Sequence, residues 1–235
     1  MKAVILAGGK GTRLKPYTTV FPKPLMPVGG RPILEIIISQ LRSYGLRDII
    51  ITTGYLGELI MAFFGDGSQW GVDIKYSKED KPLGTAGGLK LIEEELKDIF
   101  LMVNGDTLTT LNFSELINYH KTSGAIATIA LKKREVYIDF GIVELDDNNA
   151  IKGYAEKPTI YHLVSMGVYV FEPRVVDYIK PDEKLDFPDL VKTLISEREK
   201  VNGFVFDGYW LDIGRPEDYE KANREIEELS KLLNL

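Results

Sequence analysis

The sequence predicts an α/β fold, a mixed and mostly parallel sheet flanked by helices. Short apolar runs alternate with amphipathic segments over the first 131 residues. A glycine-rich turn follows the first apolar run, and the pattern changes after about residue 132. Strands that alternate with helices predict a parallel sheet with helices on both faces. The later change of pattern predicts a smaller lobe of mixed structure.

The elements of the first half follow in chain order. We expect strands at residues 2–6, 47–53, 72–76, 99–103 and 125–131. We expect helices at residues 32–44, 58–64, 85–96 and 113–121. The first helix is predicted from apolar residues at helical spacing, and Gly45 marks its end.

The second half begins with a predicted hairpin. Apolar segments at 140–145 and 151–155 flank the turn residues 146–149, and further strands are predicted at 164–171 and 201–206. Arg215-Pro216-Glu217 opens the last helix, because proline is favoured in a first helical turn. We expect its apolar stripe to pack on its own domain; the stripe is Tyr219, Ala222, Ile226, Leu229 and Leu233. The chain is predicted to be one domain, with halves at about 1–131 and 132–235.

Composition narrows the classes of function. The net charge of -6 argues against non-specific nucleic-acid binding, although a local basic site for a phosphorylated ligand is compatible with it. The absence of cysteine excludes disulfides, thiolate metal sites and cysteine nucleophiles. The first apolar run is too short for a signal peptide, and no segment reaches the roughly 18 apolar residues of a membrane span. We therefore expect a cytoplasmic protein without a membrane partner, either a monomer or a homo-oligomer.

The strongest local signal is the loop at residues 6–14, Leu-Ala-Gly-Gly-Lys-Gly-Thr-Arg-Leu. Glycines let backbone N–H groups approach an anion closely. The loop lacks the Gly-Lys-Ser/Thr step of a P-loop, and Leu14 stands where a dinucleotide fingerprint needs its third glycine. Lys23 lies between two prolines, which stiffen its backbone. A rigid cation beside a glycine cradle suits a triphosphate, although each feature alone is more often a tight turn or a solvated lysine.

Together the loop at 8–14 and Pro-Lys-Pro-Leu at 22–25 resemble the sugar-phosphate nucleotidylyltransferase family. Residues 82–88, 104–106, 156–158 and 207–214 also match the family's motifs. The resemblance implies a Rossmann-like fold with a nucleotide-binding first half and a sugar-binding lobe, without the β-helix domain of longer relatives. The ending most resembles short guanylyltransferases acting on mannose or heptose 1-phosphates, and muramic-acid 1-phosphate uridylyltransferases are also similar.

The resemblance implies roles for individual residues, with a nucleoside triphosphate and a sugar 1-phosphate as substrates and Mg²⁺ as the cofactor. Arg13 and Lys23 would be catalytic, and Asp106 and Asp212 would hold the metal. The nucleotide would meet Leu6, Ala7, Gly8, Gly9, Gly11, Thr12, Arg13, Gly84, Thr85 and Asp106. The sugar phosphate would meet Gly141, Glu156 and Lys157. Without the resemblance, Asp106 and Asp212 would be interpreted as cap or turn residues.

This reaction needs no general base, since a phosphate monoester is already an anion at neutral pH. The two histidines, His120 in a polar helix and His162 in an expected loop, therefore receive no catalytic role. Bringing like charges together instead requires positioning, cations and a metal.

Several alternatives stay open. GTP with mannose or heptose 1-phosphate is favoured, and a uridine or deoxythymidine triphosphate with glucose 1-phosphate is the runner-up. A silent relative that binds a nucleotide sugar and regulates a partner is a second class, and a glycosyltransferase with an Asp-bound metal is a third. A dehydrogenase is weaker, because the dinucleotide fingerprint fails. Ser165-Met166-Gly167 departs from the family's Asn-x-Gly step and leaves the sugar open.

Overall fold

A computed structural model describes residues 1–233. The strands are β1 (Lys2–Ala7), β2 (Pro27–Val28), β3 (Arg31–Pro32), β4 (Asp48–Thr53), β5 (Asp73–Lys78), β6 (Phe100–Asn104), β7 (Thr107–Thr109), β8 (Ala127–Tyr137), β9 (Ile142–Leu145), β10 (Ile151–Ala155), β11 (Thr159–Phe171), β12 (Val201–Val205) and β13 (Trp210–Asp212). The α-helices are α1 (Ile33–Ser43), α2 (Gly57–Phe64), α3 (Gly84–Gly87), α4 (Phe113–Ser123), α5 (Phe187–Ser196) and α6 (Pro216–Leu229).

The central sheet has seven strands in the order β12-β8-β11-β6-β1-β4-β5. Every pairing is parallel except those of β11, which runs antiparallel to both β6 and β8. Leu6 of β1 lies opposite Thr52 of β4 and Asn104 of β6, so the carboxyl ends of these strands share one edge. The predicted mixed, mostly parallel sheet is confirmed.

Apolar cores cover both faces of this sheet. Because side chains alternate along a strand, Ala3 and Ile5 of β1 enter one core while Val4 enters the other. Helices α1, α4 and α6 pack on the first core, and α5 packs on the second. The predicted arrangement of helices on both faces is thus confirmed.

One detail of the sequence-based prediction is refined and another is wrong. The helix predicted at residues 85–96 consists of two pieces: the turn α3 is followed by a 3-10 helix at Gly88–Glu95. The N–H groups of Ala86 and Gly87 both donate to the Leu185 carbonyl at 3.0 Å, which draws the backbone into tertiary bonds. His162 lies in β11 opposite Arg134 rather than in a loop, because the β8–β11 ladder extends well beyond the core.

The smaller lobe is built from the β9–β10 hairpin and the outer parts of β8 and β11. The hairpin is antiparallel as predicted, and Asp146 Oδ1 closes its turn by accepting from the N–H groups of Asn148 and Ala150. No residue between 131 and 165, all of them described, is buried. Strand β8 passes residue 131 without a break, so the division of the chain into halves stays a prediction.

Helix α6 packs on its own domain, as expected. Ala222 and Leu233 are fully buried, and Ile226 packs against the backbone of Gly29. Tyr219 Oη donates to the Pro27 carbonyl at 2.6 Å. Within residues 1–233, no helix is both long and apolar enough to span a membrane.

His120 is part of the packing between α4 and the sheet. It is 1% exposed, and its Nδ1 lies 2.8 Å from Thr128 Oγ1. Its Nε2 is 3.7 Å from the partly exposed carboxylate of Glu172, too far for a hydrogen bond. Burial lowers the pKa of His120, so the ring is held in its neutral form.

Candidate active site

The glycine-rich loop leaves the carboxyl end of β1 and turns sharply at Gly11. This residue has φ +59, in the left-handed region that favours glycine. Its carbonyl accepts from Thr18 Oγ1 at 2.7 Å and from Leu14 N–H at 2.9 Å. A Cβ at Gly11 would lie 2.9 Å from Thr18 Cγ2 and 3.3 Å from Lys23 Cβ. The turn therefore requires glycine, and the absence of a side chain at Gly11 lets Lys23 lie close to the loop.

Glycines also allow the neighbouring strand ends to meet by backbone. A Cβ at Gly54, after β4, would lie 2.8 Å from the Gly8 carbonyl. Gly105, after β6, donates its N–H to the Leu6 carbonyl at 2.9 Å, and a Cβ there would lie 2.7 Å from that oxygen. Sequence reasoning missed Gly54, although a glycine directly after a buried strand was an available signal.

Lys23 is a buried cation beside this loop. It begins the 3-10 turn Lys23–Leu25 and is 9% exposed. Its Nζ donates to Asp106 Oδ2 and forms an ion pair there. Within residues 1–233, Asp106 Oδ1 is buried and has no hydrogen-bond partner. The carboxylate therefore has one oxygen that can still accept a bond or coordinate a cation.

Asp212 reaches the same place through a strand pair that the sequence did not reveal. Strand β13 runs antiparallel to β7 with Asp212 opposite Thr107, and Ile213 N–H donates to the Asp106 carbonyl at 3.0 Å. Burial and the negative charge of Asp106 raise the pKa of Asp212, while the cations of Lys23 and Arg13 oppose the increase. The two predicted metal ligands are therefore neighbours.

Arg13 is exposed and joins this group beside Gly214. A Cβ at Gly214 would lie 2.9 Å from Asp212 Oδ2 and 3.2 Å from Arg13 Nη1. Glycine thus leaves room for the guanidinium and the carboxylate. In the part of the chain that the structure describes, no three acidic, histidine or cysteine side chains group as a complete metal cage. The pair formed by Asp106 and Asp212 has the cations of Lys23 and Arg13 beside it.

Two cavities open at this edge of the sheet. The smaller, about 260 Å³, is lined by Leu6, Ala7, Gly9, Gly11, Thr12, Arg13, Lys23, Pro24, Gly105, Asp106 and Gly214. The larger, about 630 Å³, is lined by Leu6, Gly8, Gly9, Lys10, Thr52, Gly54, Tyr55, Glu79, Asp80, Lys81, Pro82, Gly84, Thr85, Asn104 and Asp106. They share Leu6, Gly9 and Asp106. All residues predicted to meet a nucleotide line one cavity or both, as does Lys23; Asp212 adjoins the smaller one through Gly214.

The residues predicted for a sugar phosphate lie in the smaller lobe, and neither cavity includes them in its lining. Gly141 and Glu156 do come together. The side chain of Tyr154 packs against Gly141 and donates to Glu156 Oε2 at 2.9 Å. Lys157 Nζ is paired with Asp139 Oδ1 at 3.3 Å. Sequence reasoning missed Tyr154, although its position in β10, two residues before Glu156, was an available signal.

Further missed residues line the larger cavity near β4 and β5. Tyr55 Oη donates to the Thr19 carbonyl at 2.7 Å and so ties the segment that follows the glycine-rich loop to the end of β4. Burial raises the pKa of Glu79, opposed by the bond that its Oε2 accepts from Leu83 N–H at 3.1 Å. Their position just beyond parallel strands, where ligands of α/β sheets bind, was the signal that could have identified them.

Comparisons with known proteins point to one family. A family model described as nucleotidyl transferase matches residues 2–229. A UTP–glucose-1-phosphate uridylyltransferase of Synechocystis is 38% identical, with 96% of this chain and 63% of the relative covered. A mannose-1-phosphate guanyltransferase of Candida albicans is 37% identical, covering 93% and 62%. The chain thus spans less than two thirds of the length of these curated relatives.

Solved structures resemble the whole fold. A putative glucose-1-phosphate thymidylyltransferase from Bacillus anthracis, in complex with a sucrose, superposes with a TM-score of 0.79 at 27% identity, covering 100% of this chain and 99% of that one. HddC from Yersinia pseudotuberculosis, complexed with GMP-PN, gives 0.74 at 26% identity over 96% and 99%. The structure, the motifs and the family match agree, and the chain belongs to the nucleotidyl transferase family.

Proposed function

We propose that the protein transfers a nucleotidyl group from a nucleoside triphosphate to a sugar 1-phosphate and releases pyrophosphate. The observation that carries the proposal is the meeting of two cavities at Leu6, Gly9 and Asp106, with Arg13 and Lys23 on one side. The larger cavity has room for a nucleoside, and the smaller one offers glycine backbone and cations to phosphates.

The reaction is a displacement at phosphorus. An oxygen of the sugar phosphate forms a bond to the α-phosphorus, and the bond from that phosphorus to the bridging oxygen of the β-phosphate breaks. Pyrophosphate leaves with the bonding electrons, and no proton has to be removed from the nucleophile. Arg13 can donate two parallel hydrogen bonds to phosphate oxygens, and Lys23 supplies a compact positive charge.

The acidic pair suits a hard divalent cation. Asp106 Oδ1 is buried without a partner within residues 1–233, and Asp212 is close enough for its pKa to be raised by Asp106. Mg²⁺ prefers oxygen ligands and needs only one or two carboxylates, because it keeps several waters. Asp106 and Asp212 would hold it. When bound, the cation supplies positive charge to the phosphate oxygens.

The remaining contacts follow from the cavities and the lobe. Backbone groups of Leu6, Ala7 and Gly8 would meet the base and ribose, and Gly84 and Thr85 would line the base pocket. Gly141, Glu156 and Lys157 would meet the sugar phosphate from the smaller lobe. Within the described residues, the ion-pair partner of Lys157 is the exposed Asp139, so the charge of Lys157 can be redirected to a phosphate at small cost.

GTP and mannose 1-phosphate are the proposed pair. Support comes from relatives named mannose-1-phosphate guanylyltransferases, among them one of Mycobacterium tuberculosis at 34% identity over 95% of this chain. The alternative, UTP or dTTP with glucose 1-phosphate, is favoured by the uridylyltransferase of Synechocystis at 38% identity. A heptose 1-phosphate stays a further candidate for the sugar.

Pyrophosphate release is the direct test. Purified protein with Mg²⁺ would be offered each common nucleoside triphosphate with a panel of sugar 1-phosphates. We expect release with GTP and mannose 1-phosphate; release only with UTP or dTTP and glucose 1-phosphate would keep the reaction and change the specificity. Tight binding of a nucleotide sugar without turnover of any pair would instead support a silent, regulatory relative.

Three variants test the metal ligands. Asp106→Asn and Asp212→Asn keep the side-chain shape and remove one negative charge each, so we expect turnover to fall by about 10²–10³-fold. Asp147→Asn, in the exposed hairpin turn, is the matched control and should retain wild-type turnover. Wild-type rates in either active-site variant would reject the metal assignment.

A further inference from the structure

The wall of the larger cavity is bonded to a segment distant in sequence. Turn α3 contributes Gly84 and Thr85 to the cavity lining. The Leu185 carbonyl accepts from Ala86 N–H and Gly87 N–H, both at 3.0 Å, and Leu185 N–H donates to the Leu83 carbonyl at 2.9 Å. The chain just before α5 is therefore joined to turn α3 by backbone hydrogen bonds.

Two side chains add hydrogen bonds between the same segments, and each of them caps the first turn of the other helix. Asp186 occupies the N-cap position of α5, yet among the described residues its carboxylate caps no N–H of its own helix. Asp186 Oδ1 accepts from Thr85 N–H at 3.1 Å, in the first turn of α3. In return, Thr85 Oγ1 accepts from Phe187 N–H at 2.8 Å, the first residue of α5. Each side chain satisfies an N–H that the other helix end leaves unpaired.

The two segments approach too closely for a side chain at either of two glycines. A Cβ at Gly84, which has φ +79, would lie 2.5 Å from the Leu185 carbonyl oxygen and 2.7 Å from Asp186 Oδ1. A Cβ at Gly87 would lie 2.8 Å from the Glu183 carbonyl oxygen. The position of turn α3 is therefore set by residues 183–187, which are themselves outside the cavity lining.

We infer that Asp186 is a positioning residue that fixes the wall at Gly84 and Thr85 against a bound nucleoside triphosphate. The inference rests on the proposed function, because it assigns that wall to the nucleotide. Since Thr85 Oγ1 accepts from Phe187 N–H, the hydroxyl hydrogen of Thr85 remains available as a donor. Loss of the Asp186 carboxylate would leave Thr85 N–H without this acceptor and loosen turn α3 at the cavity wall, so that a ligand would have to order Thr85 on binding.

Nucleotide binding and turnover are compared in four proteins: wild type, Asp186→Ala, Asp186→Asn and Asp189→Ala. Asp189 is the control, because it is exposed on the same helix and its carboxylate has Lys192 as its only polar partner among residues 1–233. Dissociation constants for GTP and UTP come from calorimetry, and kcat and both KM values come from pyrophosphate release. If alanine prevents folding, Asp186→Gly removes the same carboxylate, since glycine suits an N-cap position.

For Asp186→Ala we expect the dissociation constant and KM of the triphosphate to rise about tenfold, with kcat and the KM of the sugar 1-phosphate within about twofold of wild type. Asp186→Asn keeps the accepting oxygen and should restore wild-type binding, and Asp189→Ala should match wild type. A merely structural role would lower the amount of active protein and leave KM unchanged.

Wild-type affinity for both nucleotides in Asp186→Ala would overturn the inference while leaving the proposed function intact. A wild-type protein that binds GTP but turns over no substrate pair would reject the proposed reaction, whereas a tenfold weaker Asp186→Ala complex would still support the positioning role. Absence of binding of every common nucleoside triphosphate, dTTP included, to the wild type would overturn both.

Discussion

Three glycines allow the contributions of backbone conformation and of steric contact to the free energy of unfolding to be separated. Gly9 has a φ outside the left-handed range, and a Cβ there would meet no described atom within 4 Å. Gly30 has φ +79 and is equally open. Gly11 has φ +59 and would also bring its Cβ to 2.9 Å from Thr18 and 3.3 Å from Lys23. Alanine substitutions in the order Gly9, Gly30 and Gly11 therefore each add one further contribution to the free energy of unfolding.

The expected free energies follow from these geometries. Gly9→Ala should stabilise the protein by about 0.4–1 kcal/mol, because alanine restricts the unfolded chain. Gly30→Ala adds a left-handed alanine, which costs about 1–2 kcal/mol, so a net loss of about 1 kcal/mol is expected. Gly11→Ala adds overlap with a buried threonine, worth about 1–3 kcal/mol more, for a total loss of about 2–4 kcal/mol.

Urea unfolding at neutral pH, followed by tryptophan fluorescence, gives all three free energies on one scale. The expected order of stability is Gly9→Ala, wild type, Gly30→Ala and Gly11→Ala. If Gly11→Ala loses no more than Gly30→Ala, the loop accommodates the methyl group, and the argument that Gly11 fixes the approach of Lys23 is refuted. A change in the slope with urea would show that the comparison is not between like folded states.

Three further outcomes are expected. Burial lowers the pKa of His120, so below about pH 6.5 the unfolded chain binds a proton that the native state does not bind. As the pH falls, the free energy of unfolding of the wild type should therefore decrease by up to about 1.4 kcal/mol per pH unit more than that of His120→Gln. Parallel pH profiles of urea unfolding for the two proteins would contradict this. Tyr55→Phe removes the bond to Thr19 and should raise the KM of the triphosphate about threefold in the pyrophosphate assay, with no change pointing to a loop held by other contacts. Tyr154→Phe frees Glu156 and should raise the KM of the sugar 1-phosphate by about threefold without altering that of the triphosphate; equal effects on both would separate Tyr154 from the sugar site.

Much of the fold could be predicted because its signals are local. The alternation of apolar runs and amphipathic segments gave the sheet, and the turn residues 146–149 gave the hairpin. Local patterns carry no information about distant partners, so the 3-10 geometry of residues 88–95 was missed: it depends on bonds from turn α3 to Leu185. Strand β13 was missed for a similar reason, because its three residues become a strand only by pairing with β7.

The residues of the candidate site likewise include some that the sequence identifies and some that it does not. Residues within the glycine-rich loop, and Asp106 after β6, could be named because motif and strand end coincide in the sequence. Asp186 carries no such mark, because it acts on the cavity wall through Thr85, which is distant in the sequence. Residues of this kind become visible only when the distances between elements are known.

The composition of the smaller lobe has a consequence for local unfolding. Residues 131–165 contain no buried side chain, so they depend on the β8–β11 ladder and gain little from apolar burial. Segments with few buried contacts exchange their amide hydrogens through local rather than global unfolding. The hairpin amides of β9 and β10 should thus exchange with deuterium far faster than those of β1 and β6. The same looseness makes the turn at 146–149 a suitable point for inserting a reporter tag, since an added peptide there would disturb no packed core.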